Sequence, residues 1–269
     1  MSIVFAAIAP HGSLPEAPVE GAEGTHEALA ELGRRFDTAK PDATIVLTPH
    51  NVHVEGHFAV VLARKLAGRL AEFDAPEVEL SCPVDYELAT EVVVALHDAG
   101  LPVVAASFGA NDATAATAPM DWGVLIPLWY MGGRTDAQVP AVVVSPARDR
   151  PLDEHVRAGE VIAEAAEKSG KRVAVIASAD HGHAHDPEGP YGFDPAAAQY
   201  DDRVVGLVRE NRLAALLDLD PALVEAAKAD SWWQMVMLHG ALGDRWRGEL
   251  LTYEKPSYFG MLCAAYAPS

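Results

Sequence analysis

Histidine closes three separate apolar runs of this chain: Pro10-His11 after residues 3–9, Pro49-His50 after residues 43–48, and Asp180-His181-Gly182-His183-Ala184-His185 after residues 172–179. Neutral imidazole is the commonest metal ligand, and its proton exchanges near neutrality, so the chemistry on offer is metal binding or acid-base catalysis. Any one such histidine could simply close a loop; three at matching positions favour a site. His53 and His57 follow His50 closely, and spacing alone does not choose among the three. Alternation sends His53 to the face opposite His50 if the chain stays extended, and His57 to solvent. The 181/183/185 triplet would share one side of an extended chain as a metal clip. Asp180, Gly182 and Asp186 favour a loop instead, with one histidine aimed inward. His26, His97, His155 and His239 fall in helical patterns and read as ordinary core or surface residues.

The elements that must position these residues alternate from start to finish. Short β-branched runs bounded by Pro and Gly read as buried parallel strands, and ligands of open α/β sheets collect beyond the carboxyl ends of those strands. Strands are expected at 3–9, 43–48, 58–62, 103–108, 139–145, 172–178 and 249–254. Helices are expected at 25–36, with Thr25 as N-cap, and at 86–97, 152–169, 200–211, 221–229 and 232–242. Pro127 makes 125–130 an early helical turn or an irregular piece. No repeat, linker or low-complexity tract divides the chain. The expectation is an α/β fold, a single domain over 1–269 with a central, mostly parallel sheet flanked by helices and an edge hairpin.

Composition narrows the partners. A formal charge of −19 over 269 residues repels phosphate backbones and anionic lipid, which argues against nucleic acid and membrane. An anionic substrate would need local basic residues to offset that field, and Lys and Arg are thinly spread with no cluster. No apolar run reaches the ~18 residues of a spanning helix, and no basic-then-apolar leader opens the chain. Cys82 and Cys263 are too few for a disulfide framework and fit a reducing cytoplasm. The phosphate-binding G-x-x-x-x-G-K-[ST] loop, the G-x-S-x-G elbow and the H-E-x-x-H zinc helix are all absent.

The landmarks Ala9-Pro-His11-Gly, Val46-Leu-Thr-Pro-His50, Met120 to Met131, Ala177-Ser-Ala-Asp-His-Gly-His183, Tyr191-Gly-Phe-Asp-Pro195 with Gln199-Tyr-Asp201, and Leu251-Thr-Tyr-Glu-Lys-Pro256 follow one another in a distinctive order. In this order the chain resembles the class III extradiol ring-cleavage dioxygenases, the group of protocatechuate 4,5-dioxygenase, over nearly its whole length. The resemblance implies Fe(II) on two histidines and a glutamate, with open positions for a catecholate and O₂. The histidine ligands fall on His11 and His50, and a catalytic acid-base histidine falls on His183, a residue type suited to proton transfer at neutral pH. The family's glutamate position falls on Gln199, which supplies no charge. Met120-Asp121-Trp122-Gly123 carries an indole where relatives carry a histidine. His53, His185 and Glu254 are the other groups that could complete a site, with iron, zinc or copper. Trp122 is either an apolar wall for an aromatic ligand or ordinary packing.

The reading is an Fe(II)-dependent extradiol dioxygenase-like enzyme opening a catechol or 2-aminophenol with O₂. The alternative is a non-catalytic homologue, a structural or regulatory subunit or binding protein without its metal, and a zinc hydrolase on the same rim ranks third. Assembly as a homo-oligomer or with a related subunit is expected, with Trp232-Trp233 in an apolar contact or in the core.

Overall fold

The structure, a computed structural model, describes residues 2–16, 19–134 and 137–269. In chain order its strands are β1 (Ile3–Ala9), β2 (Ala43–Leu47), β3 (Phe58–Val61), β4 (Lys65–Leu70), β5 (Ala75–Pro83), β6 (Val103–Ala106), β7 (Thr117–Pro119), β8 (Ala141–Ser145), β9 (Val173–Ser178), β10 (Trp246–Glu254) and β11 (Met261–Pro268). The helices are α1 (Glu23–Ala39), α2 (Tyr86–Asp98), α3 (Trp122–Tyr130), α4 (Leu152–Ser169), α5 (Pro195–Arg209), α6 (Pro221–Ala226) and α7 (Trp232–Leu242).

Eight strands form one sheet in the order β10-β11-β1-β9-β2-β8-β3-β6. Its centre, β1-β9-β2-β8, is parallel, and β11 and β3 run antiparallel to their inner neighbours. Every residue of β2, β3, β8 and β9 is buried. That is why these strands read as continuous apolar runs rather than alternating ones: helices cover both faces of the sheet. Helix α1 packs on β1, β10 and β11, while α4 and α7 pack together on the other side. The α/β architecture with a largely parallel central sheet and the β10-β11 edge hairpin match the expectation.

Three local readings differ. Thr25 lies inside α1, and the helix begins at Glu23 with no side-chain cap from its own N-cap residue. Glu254 at the end of β10 serves that helix end instead: its carboxylate accepts from the backbone N–H of Gly24 (3.1 Å) and Thr25 (2.6 Å) and from the Thr25 hydroxyl (2.7 Å). The Pro127 segment is helical, as α3. A second sheet, β5-β4-β7, was not anticipated. Its β5 alternates in burial along Val78, Glu79, Leu80, Ser81 and Cys82, a period-2 signal diluted by short length and by the glycine of β4. That glycine is required by close approach, because a Cβ at Gly68 would stand 1.9 Å from the Met120 carbonyl oxygen.

Helices α4 and α7 touch through their backbones. A Cβ on Gly159 would lie 1.9 Å from Met237 O, and one on Gly240 2.0 Å from Val156 O. Two glycines thus let the helices meet at main-chain contact, and α7 starts immediately after Asp230.

Candidate metal centre and ligand cavity

Beyond the carboxyl ends of β1, β2 and β9 lies a cavity of about 990 Å³ whose lining includes His11, His50, His183, Asp180 and Asp230. His11, His50 and Asp230 each direct one donor atom into a common space, all within 4.8 Å of one another. His50 Nε2 is 3.2 Å from Asp230 Oδ2, and His11 Nε2 is 3.7 Å from the same oxygen. His11 Nε2 and Asp230 Oδ1 are buried with no hydrogen-bond partner. Two imidazoles and a carboxylate converging in this way, with two buried polar atoms left unpartnered, fit a divalent metal ion.

The chain fixes each of these side chains. Pro127 has no N–H, so the Gly123 carbonyl one turn earlier lacks its helical donor. The Ser178 hydroxyl at the end of β9 donates to that carbonyl. Ser178 Oγ then accepts from His11 Nδ1–H at 2.9 Å, which leaves the Nε2 lone pair pointing into the site. The His11 backbone N–H donates to Asp180 Oδ1 (3.1 Å). The His50 turn is tied from several directions. Ser145 donates to the His50 carbonyl (2.9 Å), Arg148 to the Pro49 carbonyl (2.8 Å), and the Asn51 N–H to Asp121 Oδ2 (2.5 Å). Asp121 also caps α3 through the Val124 N–H. Gly123 lets α3 come this close, since a Cβ there would meet Thr48 Oγ1 at 2.7 Å. Asp230 is held through its backbone: Gln234 Nε2 donates to its carbonyl (2.7 Å) and to Ser178 O (3.0 Å).

The local field is strongly negative. Burial disfavours a charge on His11, but Asp180, Asp230 and Asp121 outweigh it and raise its pKa to about 9. Burial pushes Asp230 up, and His11 and His50 outweigh that in turn, holding the carboxyl well below the usual range. The groups that stabilise a proton on His11 would equally stabilise a divalent cation.

His183 is half-buried at the cavity wall. Its Nδ1–H donates to the His181 carbonyl at 2.7 Å, leaving Nε2 free, and its ring stacks on Phe259 (centroids 5.5 Å apart). Trp122 also lines the cavity, its ring 4.7 Å from the His50 ring and 5.4 Å from that of Phe73. Trp232 and Trp233 also border the cavity.

The remaining candidates are placed elsewhere. Gln199 is exposed on α5 and does not border the cavity; the carboxylate that lies beside His11 and His50 is that of Asp230. His185 Nε2 pairs with buried Asp201 (2.8 Å), which also accepts from Tyr253 OH (2.6 Å) and the Gly182 N–H (2.8 Å). His181 is buried, with Nδ1 against Ser231 Oγ. His53 is exposed, and Glu254 is engaged with α1. Asp230 escaped notice because Asp-Ser ahead of an apolar helical pattern reads as an N-cap, its most frequent meaning. The Ser231 hydroxyl is instead spent on His181 and Tyr200.

Residues 6–262 match the family described as the catalytic LigB subunit of aromatic ring-opening dioxygenase. The chain belongs to the LigB family. A curated relative, Protein CA_C1420 of Clostridium acetobutylicum, is 22% identical over 234 residues, covering 86% of this chain and 49% of its own length. This LigB-family chain therefore spans about half of that relative. An uncharacterized protein of Escherichia coli K12, JW3007, has a similar fold, with a TM-score of 0.60 at 20% identity over 97% of this chain and 99% of that one.

Proposed function

We propose that this LigB-family chain is an Fe(II)-dependent extradiol dioxygenase-like enzyme that opens the ring of a catechol or 2-aminophenol. The observation that carries the reading is the convergence of His11, His50 and Asp230, with His11 Nε2 and Asp230 Oδ1 unpartnered, at one end of an aromatic-walled cavity. Iron there would bring the ring's two adjacent heteroatoms and O₂ together and supply the electron chemistry for inserting both oxygen atoms as a ring C–C bond breaks. The rest falls to the protein. Phe259 and Trp122 offer faces against which a planar ring can lie, and their apolar bulk keeps water out. His183 Nε2, fixed by the Nδ1 bond, accepts the diol proton and returns it to the opening ring.

The non-catalytic alternative drew on Gln199 in place of the glutamate and on Trp122 in place of a histidine; Asp230 beside the two imidazoles supports the metal-dependent reading over it. The test is elemental analysis of anaerobically purified protein with a His11→Ala control, followed by an O₂-uptake screen with catechols and 2-aminophenol. Near-stoichiometric iron, absent from the control, with substrate-dependent O₂ uptake is expected. Iron-loaded protein that consumes no O₂ with any of them would sink the reading.

A further inference from the structure

We propose that Asp201, buried on α5 and outside the cavity, is a positioning residue for His183: it anchors the peptide group on which the His183 ring hangs. The inference rests on the acid-base role given to His183 above. It grows from a sequence landmark that the metal centre leaves unused, Gln199-Tyr200-Asp201.

Gln199 is exposed, but Tyr200 and Asp201 are buried. Tyr200 OH pairs with Oγ of Ser231, the neighbour of Asp230, at 2.8 Å. Asp201 serves the loop after β9. Its Oδ1 accepts from the Gly182 N–H (2.8 Å), and its Oδ2 from His185 Nε2–H (2.8 Å) and Tyr253 OH (2.6 Å). Two consecutive residues of one helix thus brace the chain beside Asp230 and beside His183.

The Gly182 N–H belongs to the same planar peptide unit as the His181 carbonyl, and the two point in opposite directions. That carbonyl accepts from His183 Nδ1–H at 2.7 Å. A continuous line of hydrogen bonds therefore runs from the Asp201 carboxylate through one peptide to the His183 ring. Each bond polarises the next, so the anion strengthens the carbonyl as an acceptor and holds the ring with Nε2 free. Without the anchor, a glycine at 182 would let the peptide turn over. The surroundings are shaped for this contact. A Cβ on Gly182 would meet Ala197 of α5 at 3.0 Å, and a Cβ on Gly260 would collide with Asp201 Oδ2. Gly260 also clasps the loop from the other side, its N–H donating to the Gly182 carbonyl (3.1 Å) and its carbonyl accepting from the His181 N–H (2.9 Å). Among the described residues no Lys or Arg pairs with Asp201. A buried carboxylate held by a backbone N–H, a phenol and an imidazole is a costly way to pack a loop; the peptide it polarises gives the charge a purpose.

The test is a double-mutant cycle with Asp201→Asn, His183→Gln and the pair, read as ring cleavage of catechol or 2-aminophenol, whichever the protein opens. Asp201→Asn keeps an acceptor for Gly182 and loses the charge. It should lower kcat about tenfold, part of what a well-placed acid-base group supplies, with KM and bound metal within about twofold of native. In the His183→Gln background it should lower kcat no further, because groups acting through one another are not additive. Tyr253→Phe, which leaves the Gly182 bond in place, should stay within about twofold of native. An equal fall with and without His183 would mean a general structural role and overturn the proposal, as would native kcat in Asp201→Asn.

A second readout needs no turnover. In zinc-loaded protein with isotope-labelled histidine, the His183 Nδ1–H, assigned by its loss in His183→Gln, should give a slowly exchanging proton resonance. It should vanish in Asp201→Asn, and its persistence there overturns the proposal. If Asp201→Asn does not fold, the native protein still decides: protection of both the His183 Nδ1–H and the Gly182 N–H supports the line of bonds, and free exchange of either breaks it. An Asp201-dependent resonance in a protein that opens no ring would defeat the dioxygenase reading alone. Ring cleavage with a resonance indifferent to Asp201 would defeat only this inference.

Discussion

Asp230 and Gln199 separate what a residue's type suggests from what its place permits. Asp230→Asn should reduce bound metal to less than about a tenth of the native content, because the carboxylate's charge and a donor oxygen are lost together. Gln199→Glu, on the exposed side of α5, should leave metal content and melting temperature unchanged. Ser178→Ala leaves His11 Nδ1 without its acceptor and frees the ring to turn. Metal affinity should fall about 10- to 100-fold by competition against a chelator, the usual cost of removing a partner that orients a metal-binding histidine. That His11, His50 and His183 border one cavity could be read from the sequence, because histidines recurring beyond the ends of parallel strands gather at one rim. Asp230 could not, because its position in a short joint between two helices has a commoner meaning, and only the folded chain shows the carboxylate turned towards two imidazoles.

Helices and strands hold the site through contacts far from any ligand. Gly240→Ala would drive a Cβ into the Val156 carbonyl, so α7 must move off α4. A loss of several kcal/mol is expected in urea unfolding, as for overpacked interiors. Metal content should fall with it, since α7 follows directly on Asp230. Glu254→Ala removes three bonds to the start of α1 and a negative charge from the positive end of that helix. The expected loss is about 1–3 kcal/mol, with Glu254→Gln recovering part of it. The large sheet and the long helices were legible because their burial patterns repeat over many residues, and 152–169 and 232–242 appear with the expected ends. The smaller sheet and the Glu254 contact were not: the local β4-β5 hairpin carries only a diluted alternation, while β7 and Glu254 reach partners distant in sequence.

At the scale of the molecule, acidity should be felt in the packed interior before the surface. His155 on α4 is buried beside Phe58, and burial holds its pKa below the ordinary value of 6.5. The native state therefore resists protonation that the unfolded chain accepts. Its contribution to stability is intact above pH 6.5 and declines as pH falls below that value, by at most about 1.4 kcal/mol per pH unit. Urea unfolding at pH 7.5 and 5.5 should show this decline, and His155→Gln should flatten it. Composition foretold the acidic surface. It could not foretell that the cavity would gather Arg148 and Lys228 from segments some eighty residues apart.

His11, His50 and Asp230 come from the first strand, the second strand and the entrance to the last long helix, with nearly the whole chain strung between them. An ion clasped by all three would act as a reversible cross-link closing almost the full length of the polypeptide. Its release would then be thermodynamically linked to global unfolding rather than to loosening of one loop. Titration with a chelator should accordingly move the whole cooperative transition to lower temperature, by an amount that grows as the logarithm of free metal falls, and a calorimeter would serve as an affinity meter for the site.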